Sequence, residues 1–364
     1  MGTWGIFGHD WAVELLARDL AGDRLRHAYL FTGPSGIGKR SLAVKFAQAI
    51  NCLSPSRPCG ECRPCTLIAK GLHPDAPLVH SGLTVSGAAA VGRAARAGRT
   101  QDGGPRSIKI EQARELERMV ALTPYEARYR TPILLRFHEA TTAAQNALLK
   151  TLEEPPPRVV FLLTADSLDR LLPTIVSRCE SLKLRPLPIV ATKEALMLRW
   201  RIEPGRAELL AHLSAGRIGW AAAMSSDDER LTQQAQQIEE MLGLLALRPR
   251  RGRLAYAEAL AKRGRDKVEE TLALWQVWWR DVLLAANAAN APYANLDRAE
   301  TVGLIAQFVG AERAYEALRA LYRTQEAIER NANLRLALEV LALDLPHVHS
   351  ASTVLHKLIP TRSG

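Results

Sequence analysis

Residues 27–40 read His27-Ala-Tyr-Leu-Phe-Thr-Gly-Pro-Ser-Gly-Ile-Gly-Lys-Arg40, a short apolar run that passes directly into a glycine-rich turn. The next residues, Ser41 to Ile50, carry apolar side chains at helical spacing, which predicts strand, loop and helix in immediate succession. A phosphate-binding P-loop requires this succession, because backbone N–H groups of the loop and the helix N-terminus together face the phosphates. We therefore expect an α/β domain built around this loop.

The loop departs from the pattern of an ATPase at its last residue. The residues that suit a phosphate cradle are Gly33, Gly36, Gly38 and Lys39. Arg40, however, stands where the pattern G-x-x-x-x-G-K-[ST] has a hydroxyl that ligates Mg²⁺, and a long cation cannot replace it. Two interpretations stay open: the loop binds ATP or ADP weakly without turnover, or it persists only because a helix must start there.

The acidic pair of an ATPase is missing as well. Such a pair ends a strand and positions Mg²⁺ and the attacking water, and the candidate strand here covers residues 132–137. Counted back from the following helix, its two positions hold Leu135 and Arg136. A shift of three residues gives His138 and Glu139, still without the metal-binding aspartate. Because the hydroxyl after Lys39 and the acidic pair are both missing, the sequence predicts that this chain does not hydrolyse ATP by itself.

Strands and helices alternate through the first half of the chain. Further strands are expected at residues 77–80 and 159–164, with helices near 109–121 and 142–153. Alternation of this kind predicts a parallel sheet that is covered by helices on both faces. Residues 84–106 are small and glycine-rich and lack apolar periodicity, which predicts a flexible insertion.

The second half of the chain has a helical pattern throughout. We expect a short helical unit over residues 189–225 and a longer one over residues 229–345, with basic connectors at residues 248–253 and 262–265. Three tryptophans lie at helical spacing on one apolar face, and this spacing favours a buried core over a subunit interface. They are Trp275, Trp278 and Trp279.

Composition narrows the class of protein. A chain of 364 residues with 47% hydrophobic and 24% charged residues is typical of a globular protein of two or three domains. The net charge of +10 permits a nucleic-acid partner without requiring one. No secretory signal pattern opens the chain, and no apolar run approaches the ~20 residues of a membrane-spanning helix, which indicates the cytoplasm.

Four of the five cysteines lie close together in the sequence. They are Cys52, Cys59, Cys62 and Cys65, the last three at C-x₂-C-x₂-C spacing. Thiolates at this spacing can converge on one tetrahedral Zn²⁺ at about 2.3 Å each, and four of them close the site against water. The pattern predicts a structural zinc knuckle over residues 52–65, with unrelated free cysteines or two disulfides as the alternative.

Arg178 has two interpretations. It lies in Pro173-Thr-Ile-Val-Ser-Arg-Cys179, and physical reasoning alone favours a solvated arginine at a strand–helix junction. The other interpretation is an arginine finger, a fixed guanidinium that stabilises charge on a γ-phosphate held by a neighbouring subunit. The sequence around it decides between the two.

That surrounding sequence resembles the bacterial clamp-loader ATPase family of the AAA+ class. The segments that carry the resemblance are Asn146-Ala-Leu-Leu-Lys-Thr-Leu-Glu-Glu-Pro-Pro156, Ser177-Arg178-Cys179, His27-Ala-Tyr-Leu-Phe31, the four clustered cysteines, His73-Pro74-Asp75 and Ile108-Lys-Ile-Glu-Gln-Ala-Arg-Glu-Leu116. The resemblance spans residues 5–185 and is weaker through Leu213–Gly219 and Asn331–Glu339.

The resemblance implies three domains. Residues 1–185 would form an AAA+ α/β nucleotide-binding domain with a parallel sheet, residues 186–228 a small helical lid, and residues 229–364 an all-helical collar that holds a five-subunit ring together. Gly219 stands where ATP-hydrolysing relatives carry a sensing arginine in the lid. The four clustered cysteines carry over as the zinc ligands of the family.

The resemblance also implies a role in DNA replication, as an accessory subunit of the DNA-directed DNA polymerase III, a nucleotidyltransferase complex. The chain would act as a rigid stator without its own ATPase activity, and Arg178 would complete the ATP site of an adjacent gamma/tau subunit. Together with gamma/tau and delta subunits, it would help to open the sliding clamp and place it on primed DNA.

Two alternatives belong to other classes of function. The first is an active gamma/tau-like clamp-loader ATPase whose metal is held by Ser41 or Glu139. The second is a zinc-dependent DNA-binding protein that uses the cysteine knuckle and the basic run Arg248–Arg253.

Overall fold

The computed structural model describes residues 4–81, 107–247, 249–330 and 332–348. The expected insertion at residues 84–106 lies outside this part of the chain. The Cα positions divide into two compact units, Met1–Ala195 with Gly216–Trp220, and Leu196–Ala215 with Ala221–Gly364.

The first unit is a five-stranded parallel sheet with helices on both faces. Its strands are β1 (Ala28–Thr32), β2 (Leu78–Val79), β3 (Ile133–Leu134), β4 (Phe161–Ala165) and β5 (Glu180–Lys183). They lie in the order β2-β3-β4-β1-β5, and all pairs are parallel. The helices are α1 (Asp10–Ala21), α2 (Lys39–Asn51), α3 (Arg63–Ala69), α4 (Ile110–Val120), α5 (Thr142–Glu153) and α6 (Pro173–Val176), and α7 (Ile189–Trp200) begins in this unit.

The sheet core follows from the period of two along each strand. Tyr29 and Phe31 of β1 pack on the face that also contacts α1 and α2, whereas Leu30 packs on the face with α4 and α5. Every residue of β1 and β4 is buried, as expected for strands that are covered on both sides. The prediction of a parallel α/β sheet is confirmed.

The candidate acidic strand is shorter than predicted. The sequence predicts residues 132–137, but β3 covers only Ile133–Leu134. The backbone N–H of Leu135 still bonds to the carbonyl of Val79. Arg136 then takes a left-handed φ of 52°, and a 3₁₀ turn begins at Phe137. Because left-handed residues end the extended path, the ladder stops there.

The second unit, as far as the structure describes it, is helical. It comprises the end of α7, then α8 (Pro204–Ser214), the end of α9 (Ile218–Met224), α10 (Asp228–Ala246), α11 (Arg250–Ala261), α12 (Arg265–Ala286), α13 (Ala299–Glu329) and α14 (Leu334–Asp344). Trp275, Trp278 and Trp279 of α12 are at most 1% exposed and form the centre of its core. The prediction that they are core residues is confirmed. None of the described helices is both long enough and apolar enough to cross a membrane.

The basic run at residues 248–253 is not a connector where the structure describes it. The helix α11 already begins at Arg250, and Arg253 is only 5% exposed. Its guanidinium donates to the carbonyls of Ala342 (2.9 Å) and Leu345 (2.6 Å), at the end of α14. Carbonyls at a helix C-terminus lack partners within the helix, so Arg253 caps α14. Arg248 lies outside the described residues.

Candidate phosphate loop, arginine and cysteine sites

The glycine-rich loop joins β1 to α2 and depends on left-handed backbone. Gly33, Gly36 and Gly38 have φ values of 135°, 82° and 105°. A Cβ at Gly33 would lie 2.4 Å from the carbonyl oxygen of Leu184, so no larger residue fits there. The loop therefore has the shape that the sequence pattern requires.

The lysine of the loop is engaged by the chain itself. The side chain of Lys39 is 7% exposed, and its Nζ lies 2.7 Å from Oδ1 of Asp166, the residue after β4. The same Nζ donates to the carbonyls of Gly33 (2.5 Å) and Pro34 (2.8 Å). Burial lowers the pKa of Lys39 below its ordinary value, although the carboxylate of Asp166 works in the opposite direction.

A backbone contact covers the outer side of the loop. The N–H groups of Gly219 and Trp220, at the start of α9, donate to the carbonyl of Gly36 at 2.7 and 3.1 Å. A Cβ built on Gly219 would lie 2.8 Å from that carbonyl oxygen. Since real Cβ atoms do not approach this closely, the contact as observed requires glycine at position 219.

The side chains at the expected magnesium positions have other partners or lie elsewhere. Arg40 is exposed, and Leu135 is part of the sheet core. Arg136 forms an ion pair with Oε1 of Glu139, whose Oε2 accepts a hydrogen bond of 3.0 Å from Ser81. Glu139 thus has a partner for each carboxylate oxygen.

His138 faces the same edge of the sheet as Asp166. Its Nδ1 accepts a hydrogen bond of 3.2 Å from the backbone N–H of Asp166, and its Nε2 lies 3.8 Å from the Asp166 carboxylate. Burial lowers the pKa of His138, and the neighbouring cations Arg136, Arg170 and Lys39 lower it further against the opposing effect of Asp166. The imidazole is therefore neutral near pH 7.

Arg178 follows α6 and is held at two points. Its Nη2 forms an ion pair of 2.7 Å with Oε1 of Glu153, the last residue of α5. Its Nη1 donates to the carbonyl of Thr174 at 2.9 Å. The arginine side chain is nevertheless 32% exposed, so part of the guanidinium faces outward.

The four clustered cysteines converge in space. Their sulfur atoms all lie within 4.8 Å of one another, and the sulfurs of Cys52 and Cys62 are 3.9 Å apart. Four sulfurs about 2.3 Å from a shared Zn²⁺ would be about 3.8 Å apart, so the donor set fits a tetrahedral metal. Backbone N–H groups of Cys62 and Glu61 lower the pKa of the Cys59 thiol to about 6, whereas burial raises the pKa of the Cys65 thiol, so the fit to a metal rests on the positions of the sulfurs.

A buried carboxylate before β2 supports the fold. Asp75 of the His-Pro-Asp segment is fully buried and accepts backbone N–H bonds from Tyr125, Glu126 and Ala127 at 2.8–3.0 Å. Arg130 donates to it as well, with its Nη2 at 2.9 Å. The sequence segment is thus explained by a structural latch between β2 and the loop before β3.

Two site residues were missed by reasoning from sequence, Asp166 and Glu153. Asp166 stands at the carboxyl end of a strand adjacent to β1, the edge where ligands of parallel sheets gather. Glu153 belongs to the segment 146–156, but only the tertiary structure pairs it with Arg178.

Together, the strand order and the loop between β1 and α2 define a P-loop α/β domain. Residues 8–188 match the family described as "DNA polymerase III, delta subunit". Over this region the chain is similar to the delta' and the gamma/tau subunits of DNA polymerase III.

Relatives of several kinds occur in this family. The chain is 33% identical over 229 residues to the DNA polymerase III subunit delta' of Bacillus subtilis, a match that covers 62% of each protein. It is 31% identical over 252 residues to the subunit tau of Escherichia coli, covering 66% of this chain and 35% of that protein. The chain therefore spans less than two thirds of the length of these relatives.

Solved structures that the comparison matches to the chain include a gamma subunit-related protein of DNA polymerase III from Thermotoga maritima. It has 16% sequence identity and a TM-score of 0.43, and the match covers 91% of this chain and 97% of that one. A clamp loader delta protein from Bacillus subtilis has 15% identity and a TM-score of 0.29, with 92% and 99% covered.

Proposed function

We propose that this chain is a delta-prime-like stator subunit of a DNA polymerase III clamp loader, which supplies Arg178 in trans to ATP held by a neighbouring gamma/tau subunit. One contrast carries the proposal. Lys39 and Glu139, which an ATPase in this chain would need, are engaged internally, whereas Arg178 is held in place and one-third exposed.

The arginine has the chemistry for this role. A guanidinium is always charged and presents five N–H donors in a planar fork, so the contacts to Glu153 and Thr174 leave donors for another anion. Fixed positive charge stabilises the negative charge that spreads over a transferring phosphoryl group. A finger has no use beside a loop that does not turn over ATP, so its target belongs to another subunit.

The other parts of the proposal concern cofactors, domains and partners. The four clustered cysteines would hold one structural Zn²⁺, which cross-links residues 52–65. The chain would comprise an AAA+ domain (1–185), a lid (186–228) and a collar (229–364). It would act in the cytoplasm in a five-member ring with gamma/tau and delta subunits, and through that ring on the sliding clamp and primed DNA.

A reconstituted ring tests the proposal. Gamma/tau and delta subunits from the same organism are mixed with this chain, and the mass of the complex and its single-turnover ATP hydrolysis are measured. We expect a five-member complex whose assembly survives Arg178→Ala, while hydrolysis at the adjacent site falls by about 10³-fold or more. Unchanged hydrolysis would remove Arg178 from this role.

Lys39→Ala in this chain is the matched control, because it removes a P-loop cation and leaves Arg178 intact. We expect the ring to keep its full ATPase activity with this variant. If the purified chain alone hydrolyses ATP and Lys39→Ala abolishes that turnover, the active-ATPase alternative is correct instead.

A further inference from the structure

The ammonium group of Lys39 has no hydrogen-bond donor to spare. A lysine ammonium carries three N–H donors and no acceptor. Three acceptors surround it here: the carbonyls of Gly33 and Pro34 and Oδ1 of Asp166, at 2.5, 2.8 and 2.7 Å. A phosphate oxygen that approached Lys39 would have to displace one of them.

Asp166 is fixed where it stands. It directly follows β4, which neighbours β1, and β1 leads into the phosphate loop. Its backbone N–H bonds to Nδ1 of His138, and its second carboxylate oxygen lies 3.8 Å from the other nitrogen of that ring. Its side chain is 29% exposed, and Oδ1 points to Lys39 at 2.7 Å.

We infer that Asp166 acts as an internal anion that takes the place of a nucleotide phosphate at Lys39 and thereby excludes ATP and ADP from the loop. The carboxylate uses the lysine donor that a phosphate needs, and its negative charge repels a phosphate in the same space. The inference deepens the proposed function, in which this loop does not turn over ATP, and it makes no use of Arg178.

The pairing also supplies partners for a buried side chain. A buried lysine without a partner is costly, and the carboxylate of Asp166 and two backbone carbonyls provide those partners for Lys39 in its 7% exposed position. The hydrogen bond from the N–H of Gly219 to the carbonyl of Gly36 also holds the loop in place.

The test measures anion binding by the full chain. Isothermal titration calorimetry with ADP and with pyrophosphate is run without Mg²⁺ and without chelators, which would strip metal from residues 52–65. The variants are Asp166→Ala and the isosteric Asp166→Asn, each alone and combined with Lys39→Ala. Asp169→Asn is the matched control, because Asp169 is exposed and bonds to Ser167 instead of Lys39.

We expect the wild-type chain and Asp169→Asn to bind both probes equally weakly. Asp166→Ala should bind them on the order of tenfold to a hundredfold more tightly, and the gain should disappear when Lys39→Ala is added. If Asp166→Ala fails to fold, judged by circular dichroism, Asp166→Asn gives the same answer with a smaller gain.

Three results would overturn the inference: wild-type affinity as tight as that of the Asp166 variants, no gain in a folded variant, or a gain that survives the loss of Lys39. None of these would bear on Arg178, and an unchanged ring ATPase with Arg178→Ala would leave the inference intact. The two claims can therefore fail separately.

Discussion

Nη2 of Arg178 lies 2.7 Å from Oε1 of Glu153, so the arginine of the Ser-Arg-Cys segment is braced by the last residue of α5. The arginine follows α6, which has only four residues and offers little rigidity of its own. Because α5 packs in the sheet core, Glu153 at its end has a defined position. The ion pair with Glu153 therefore restricts the position of the Arg178 guanidinium.

Replacing Glu153 should reduce the contribution of Arg178 to ATP hydrolysis without abolishing it. We expect Glu153→Gln to lower single-turnover ATP hydrolysis of the reconstituted ring by roughly tenfold, less than Arg178→Ala does, because a misplaced catalytic group can cost up to about 10²-fold. Glu154→Gln, at the adjacent exposed carboxylate, is the control. Equal or faster hydrolysis with Glu153→Gln would show that the carboxylate does not position Arg178.

We expect the contacts of Asp75 to contribute strongly to the free energy of unfolding. Asp75→Asn leaves the 6% exposed guanidinium of Arg130 without its counter-charge, and we expect a loss of about 3–5 kcal/mol in the free energy of unfolding. Urea denaturation followed by circular dichroism measures it. Asp169→Asn, at an exposed site, should change stability by less than about 0.5 kcal/mol. Similar losses in both variants would contradict the latch.

The same latch predicts a pH dependence. Burial alone would raise the pKa of Asp75, but the N–H groups of Glu126, Tyr125 and Ala127 and the guanidinium of Arg130 outweigh it and hold the pKa below its ordinary value. A depressed pKa contributes stability above the unfolded value of about 3.9, and this contribution is lost as the pH falls through the folded value.

Thermal unfolding of the wild type and Asp75→Asn at several pH values measures this contribution. The difference in stability should stay constant from pH 7 to about pH 5 and shrink below about pH 4. A stability difference between the two proteins that grows as the pH falls would contradict a lowered pKa of Asp75.

Metal removal should affect the cysteine loop and spare the sheet. We expect about one Zn²⁺ per chain by elemental analysis, lost in Cys62→Ser and retained in Cys179→Ser, because Cys179 lies outside the cluster. Chelation should raise amide hydrogen exchange in residues 52–65 and leave β1 and β4 protected. A metal-free chain with an ordered, protected loop would rule out the structural role.

The close approach of Gly219 to Gly36 predicts a steric cost. Gly219→Ala places a Cβ 2.8 Å from a backbone oxygen, and we expect it to cost about 1–3 kcal/mol in unfolding free energy. The control is Gly303→Ala within α13, where the added Cβ meets nothing within 4 Å and helix propensity favours alanine by up to about 1 kcal/mol. Equal stabilities of the two variants, compared by thermal unfolding, would refute the contact.

Local patterns in the sequence predicted much of the fold. The helix expected near residues 142–153 has these bounds in the structure, where Thr141 caps it and accepts a bond of 3.2 Å from the N–H of Ala144. The strand β5 was not predicted, because only Leu182 of its four residues is buried and an alternating pattern hardly shows in so short a run.

Local sequence patterns predict some of the candidate site residues and not others. Cysteine spacing predicts a cluster that the fold does assemble, since all four residues lie between the end of α2 and the first turn of α3. The pairs Lys39–Asp166 and Arg178–Glu153 join residues that lie far apart in the sequence. No local pattern therefore predicts them. A run of arginines predicts a solvated linker at Arg253, because the sequence does not show the distant carbonyls that this side chain caps.

The two hydrogen bonds that join Gly36 to the start of α9 are made by the polypeptide alone. If the loop excludes nucleotide as inferred above, the geometry of this junction is set when the chain folds and does not vary with the cell's supply of adenylates.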